Sequence, residues 1–209
     1  MTFDFENGQG PVPAKQHPNG GGWVADTATV ESTVYVGPDA KVFDNAWVFG
    51  NAQVCGYARV YGDAEVYGNA QVYGNAEVFG NAEVYGNAKV YGTALVYCYA
   101  KVSSRALVFD TAWVYDNAQV FGTARVFGNS RVHGDVKVFG NAEVFGDATV
   151  YGDAWAFDTA QVFDTAQVFG NSRVYGDALV YGDAQVCDTA LYSGHHGTVP
   201  TLNWGSVGS

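Results

Sequence analysis

A six-residue unit recurs without a slip from Ala28 to Ala190, and no other feature of the chain constrains its fold as strongly. Stepping by six from Ala28 gives Ala40, Ala46, Ala52 and so on, with only Val34, Ser130, Val136 and Ser172 departing from alanine. Two residues after each of these comes a valine, from Val24 and Val30 to Val186, broken only by Ala156. The unit reads Ala-x-Val-Tyr/Phe-Gly/Asp-Asn/Asp/Thr. Repetition on this scale points to a solenoid and away from a mixed globular core.

Elementary geometry takes the unit further. Ala-x-Val alternates with period two, so alanine and valine point to one side of a short strand and the middle residue to the other. The side with uniform apolar columns is the core. Glycine or aspartate followed by Asn, Asp or Thr is turn chemistry, because these residues tolerate positive φ or bond their own backbone. A bend every six residues leaves no room for hairpins. It suits a coil whose successive turns stack as parallel strands, valine above valine. Alanine recurs opposite valine, which suits a narrow interior. Ser130 and Ser172 are near-isosteric there, and Val136 is a local overfill.

The segments 72–77, Val-Tyr-Gly-Asn-Ala-Glu, and 84–89, Val-Tyr-Gly-Asn-Ala-Lys, resemble the hexapeptide repeat of left-handed parallel β-helix proteins. The resemblance runs from residue 22 to about residue 192. It implies an all-β fold, a single-stranded left-handed parallel β-helix of triangular section with three hexads in each 18-residue coil. The handedness rests on the resemblance alone. Roughly 28 hexads then give about nine coils and, at about 4.8 Å per coil, a rod about 45 Å long. The repeat is also similar to VYGNA-type repeats of bacterial and phage proteins of unassigned function, which adds no activity. Residues 1–22 and 193–209 are rich in Gly and Pro and are expected to be an N-terminal cap and a C-terminal cap or tail, with the β-helix at 23–192.

The formal net charge of −11 would repel phosphate backbones and anionic lipid, so neither nucleic acid nor membrane is an expected partner. No apolar run reaches the length of a membrane span. The first residues are acidic where a signal peptide is basic, so a cytoplasmic protein is expected, and a virion component would read the same. Cys55, Cys98 and Cys187 are odd in number and lack metal-ligand spacing, which suits inert reduced thiols.

The slot after each valine holds Tyr or Phe in most repeats. Stepping by 18 sorts these rings into three columns. One contains Phe49, Tyr67, Tyr85, Phe121, Phe139, Phe157 and Tyr175; a second contains Tyr73, Tyr91, Phe109, Phe127, Phe145, Phe163 and Tyr181. The third contains Phe43, Tyr61, Phe79, Tyr97, Tyr115, Tyr151 and Phe169. By alternation they point outward, as three ladders that stack on themselves, offer an assembly surface, or both. The residue between Ala and Val also points outward. One coil apart it pairs Arg59 with Glu77, Glu83 with Lys101, and Arg125 with Glu143.

Acyltransferases of the resembled superfamily use a histidine between neighbouring rods, usually with a projecting loop. Here His133 is the one histidine of the repeat region, it stands in an aromatic slot, and no loop interrupts the register. Trp113, Arg131 and His133, flanked by Asp135, are the candidate small-molecule or sugar site. The zinc enzymes of that superfamily need three histidines that this chain does not supply, and the adjacent pair His195-His196 reads as part of the C-terminal cap. No metal or other cofactor is expected. Thr93, Thr111, Thr123, Thr159, Thr165 and Thr189 scatter over three columns and form no ice-binding lattice. The leading expectation is therefore a non-enzymatic scaffold rod that self-associates through its ends or its ladders. The alternatives are neutral-glycan binding along the aromatic rings and an acyltransferase-like activity.

Overall fold

Each hexad folds as the turn chemistry demands. From Asp44 to Gly182 the first turn residue is left-handed: Gly134 has φ 83° and Gly92 φ 76°, while Asp44, Cys98, Ser104, Asp110, Asp116, Asp158 and Asp164 lie between 56° and 62°. At Gly92 a side chain has no space, since a Cβ would sit 2.7 Å from the Asp110 carbonyl oxygen one coil on. The turn leaves only the outward residue and the valine as strand, for example Glu83–Val84 and Lys101–Val102. The strand is thus one residue shorter than Ala-x-Val, because alanine closes the preceding turn by donating to the aromatic slot, as Ala88 does to the Tyr85 carbonyl.

The protein, described here by a computed structural model, is defined over residues 1–187 and the strand Leu191–Ser193. The expected C-terminal segment, with His195 and His196, lies outside the described residues apart from Ser193. Within them the chain is an all-β parallel solenoid of three sheets, with 12, 10 and 9 strands. Every parallel pair joins residues 18 apart, such as Glu83 with Lys101 and Trp113 with Arg131. In the hexads whose second turn residue runs from Asn45 to Thr159, the outward residue, the aromatic slot and the second turn residue donate their N–H groups to the next coil. Glu83 reaches the Ala100 carbonyl at 2.9 Å, Tyr85 that of Val102 at 2.9 Å and Asn87 that of Ser104 at 2.6 Å. The faces are called here by one ring each, the Phe43, Phe49 and Tyr73 faces.

Valine and alanine fill the interior with no exposed surface over nearly the whole length. Burying each valine contributes about 1.5–3 kcal/mol before the entropy of ordering the coil is set against it. Two irregularities of these columns, Val136 and Ala156, are neighbours. Val136 precedes the strand Lys137–Val138, which pairs with Trp155–Ala156, so the extra bulk of Val136 lies one coil from the missing bulk of Ala156. Ser130 and Ser172 are fully buried, and their hydroxyls donate to the Phe127 and Phe169 carbonyls at 2.8 Å.

The N-terminal segment meets the first coil. Strands β1 (Thr2–Phe3) and β2 (Val12–Gln16) run antiparallel, and β2 pairs antiparallel with β3 (Trp23–Ala25), the first solenoid strand of the Phe43 face. The other two faces are met by side chain and loop. His17 accepts from the Asn19 N–H at Nδ1 (3.3 Å), which leaves Nε2 to donate to the Glu31 carbonyl (3.1 Å). Val36 donates to the Asn19 carbonyl at 2.9 Å and accepts from Gly22 at 3.0 Å. At this end a strand covers the Trp23–Ala25 edge, while Thr29–Val30 and Tyr35–Val36 remain the end strands of their sheets and are met only by these bonds.

Candidate functional site

The outward rings form three ladders. On the Phe43 face, Phe43, Tyr61, Phe79, Tyr97, Tyr115, His133, Tyr151 and Phe169 stack in sequence with centroids 4.6–5.5 Å apart. The Tyr73 ladder runs unbroken to Tyr181 with centroids 4.8–5.3 Å apart. The Phe49 ladder continues through Tyr67 and Tyr85, is interrupted by Ser103, and resumes from Phe121 through Phe139 to Tyr175. As candidates for an assembly surface, Phe49, Tyr67, Tyr85, Phe121, Phe139, Tyr73, Tyr91, Phe109 and Phe127 point outward but are half-buried, each covered by its neighbours. Stacking within the ladder therefore uses most of the ring area, and edges and hydroxyls face water.

That covering shows in the phenols. Burial against neighbouring rings raises Tyr73, Tyr91, Tyr97 and Tyr115 above the ordinary tyrosine range. Tyr67, desolvated and beside Glu83, is pushed up to about 12. Tyr61 rises further, through burial and then through the hydrogen bond it donates to Glu77 at 2.7 Å. All three expected ion pairs form: Arg59–Glu77 at 3.4 Å, Lys101–Glu83 at 2.8 Å and Arg125–Glu143 at 2.7 Å. Half-exposed pairs of this kind contribute a few tenths of a kcal/mol and fix coil register.

Of the three candidate binding residues the structure unites two. The Arg131 guanidinium lies over the Trp113 ring at 5.0 Å. Together with Thr111, Asn129, Asp147 and Thr149 they line an open 410 Å³ hollow beside the corner leading onto the Phe43 face. Along that corner Asn129 donates to Asp147 at 3.0 Å and accepts from Thr111. His133 does not line this hollow. Its ring is a rung between Tyr115 and Tyr151, with Nδ1 3.6 Å from the Asp116 carboxylate rather than against Asp135. Burial lowers the His133 pKa below the usual imidazole value, with Asp116 opposing. Asp135 instead accepts from Asn117 at 2.9 Å.

Two features escaped the reading of the sequence. Trp155 is held between two cations, Lys137 at 4.9 Å and Arg173 at 4.5 Å from its ring. An 18-residue step from Lys137 through Trp155 to Arg173 would have found this stack. A second hollow, of 560 Å³, opens where Asn7, Gln9 and Pro13 of the N-terminal segment face Asp26, Asp44 and Asp63 at a solenoid corner. It was not legible, because the path of residues 1–22 follows no repeat.

Thr93, Thr111, Thr123, Thr159 and Thr165 donate their hydroxyls to carbonyls one coil on, so they are engaged within the solenoid. Thr189 lies outside the described residues. Among the described residues no group of three or more His, Cys, Asp or Glu is placed to hold a metal ion. Cys55 and Cys98 carry free thiols, and burial pushes that of Cys55 up. No helix among the described residues is long and apolar enough to cross a membrane.

A family model described as the YdcK beta solenoid repeat matches residues 118–134 and 172–188. No curated protein matches the chain, and no solved structure does. The matched repeat and the fold agree on a β-solenoid repeat protein.

Proposed function

We propose that this β-solenoid is a non-enzymatic structural rod that associates side by side with copies of itself. The observation that carries the reading is the unbroken 18-residue register from Trp23 to Ser193, which makes a stiff rod with flat, repetitive faces. Of the two routes expected for association, the sides are favoured over the N-terminal end. There the first coil is already paired with β2, His17 and Asn19. His133 supports an acyltransferase reading poorly, since its ring is stacked on both faces. Sedimentation equilibrium across protein concentration tests the proposal: a reversible rise above monomer mass supports it, and a monomer at every concentration overturns it.

A second reading has one observation behind it. The Trp113–Arg131 hollow offers a half-exposed indole edge beside a run of amide, hydroxyl and carboxylate groups, the combination that takes a neutral sugar. Calorimetric titration with neutral oligosaccharides tests it, and binding that survives Trp113→Ala would remove it.

A further inference from the structure

Charge on this rod is segregated by position. Of the ten Lys and Arg residues, all but Lys15 and Arg105 stand at the outward strand position, on the faces. By the repeat register every aspartate from Asp26 to Asp183 stands at a corner. Lys41 pairs with Glu6, and Arg59, Lys101 and Arg125 pair with glutamates. Lys89, Arg131, Lys137 and Arg173 have no ion pair among the described residues. Only the Phe49 face carries two of these, and both are held against one ring, Trp155. The corner leading onto that face carries exposed Asp135 level with Lys137, and exposed Asp153 level with Trp155.

From this we infer that the Phe49 face and its leading corner form a self-complementary docking surface whose partner is a second, antiparallel copy of this chain. The inference rests on the side-by-side reading above and names its surface. A two-fold axis through the level of Trp155 exchanges the coil below with the coil above. Asp135 of the second copy then comes level with Arg173, and its Asp153 faces the Lys137–Trp155–Arg173 stack. Both copies share the same axial repeat of about 4.8 Å, so the charges stay in step along the contact. A tryptophan flanked by cations is the kind of anchor that concentrates binding energy, and the guanidinium is held in place by the ring before docking.

The test is sedimentation equilibrium of the full chain with three variants, Arg173→Glu, Asp135→Lys and the double charge swap, each checked by circular dichroism for an unchanged β spectrum. The dimer is expected to weaken roughly tenfold or more between about 50 mM and about 500 mM NaCl, because the contact is ionic. Each single reversal is expected to abolish the dimer at low salt, and the double swap to restore it. Association that strengthens with salt, or that survives Arg173→Glu, overturns this surface while leaving side-by-side association standing through the ladders. A double swap no better than the single reversals also overturns it. A monomer under all conditions overturns both this inference and the reading it rests on.

Discussion

Phe5 stacks on Phe43 with ring centroids 4.9 Å apart, occupying the rung that the repeat leaves without a ring at Ala25. Both rings are only 1% exposed, unlike the half-buried rungs of the mid-rod. Arg59 secures the arrangement, donating to the Phe5 carbonyl at 3.2 Å while its guanidinium lies over Phe43 at 5.2 Å. Residues from outside the repeat thus complete a ladder that the repeat begins.

Truncating that ring tests how much the first coil depends on it. Phe5→Ala should cost about 3–5 kcal/mol, the range for emptying a fully buried aromatic site. Phe163→Ala, on a half-buried rung, should cost less than half as much. Urea unfolding of the two variants compares them directly, and equal losses would contradict the assignment of Phe5 as a buried closing ring.

The corner chemistry makes a second prediction. The Asp116 carboxylate accepts the backbone N–H of Gly134 one coil on at 3.2 Å, and Asp44, Asp110, Asp158 and Asp164 each meet a glycine in the same way. At Gly134, φ is +83° and a Cβ would lie 2.7 Å from the Gly152 carbonyl oxygen. Gly134→Ala should therefore destabilise by about 1–3 kcal/mol, whereas Asp116→Gly loses one part-buried hydrogen bond and the contact with His133 but puts glycine at a left-handed position, and should cost about 1 kcal/mol or less. Thermal melts of both decide it; the reverse order would mean the left-handed corner is not held as described.

The fold was readable because one period governs it. Val90, Ala94 and every residue in their columns repeat the same inward position, so a single alternation argument places the whole interior, and stepping by 18 finds the Arg125–Glu143 pair before any geometry is known. Position in the repeat also placed the rings outward, yet it gave no measure of how far Tyr67 and Tyr85 cover each other, which depends on rotamer. The candidate site was legible only in part. Trp113 and Arg131 meet because they are one coil apart on the same strand position, whereas His133, two residues on, belongs to the neighbouring ladder. Residues 1–22 obey no period, so neither the Phe5 rung nor the His17 hydrogen bonds could be read from spacing.

Within the core, Val136 and Ala156 should compensate. Val136→Ala alone leaves a cavity of about two methyl groups and should cost about 1–3 kcal/mol. Ala156→Val alone overfills the neighbouring coil, at a similar cost. The double variant should lose clearly less than the sum, with a coupling of about 0.5–3 kcal/mol in a double-mutant cycle. Strict additivity would show that the two substitutions are unrelated.

The ladders predict a response to alkali. A phenol whose folded pKa is raised contributes stability that is fully present below the unfolded tyrosine value of about 10 and is lost as pH climbs through the folded value. For Tyr67 that window runs from about 10 to about 12, and Tyr61, Tyr73, Tyr91, Tyr97 and Tyr115 shift in the same direction. Absorbance titration of the phenolate band should show these tyrosines resisting ionisation as pH passes 10, then ionising together as the solenoid unfolds. Smooth ionisation of all tyrosines near 10 without loss of β signal would contradict the covered ladders.

The central claim is that this chain acts as a stiff rod that pairs side by side with a second copy of itself, and electron microscopy of the full chain at low salt tests it most directly. The account predicts particles two rods wide where the copies overlap and, with the two-fold axis at the level of Trp155, about 70 Å long against about 45 Å for one rod at about 4.8 Å per coil. Particles one rod wide at every concentration, or particles lengthened end to end with no increase in width, would contradict it.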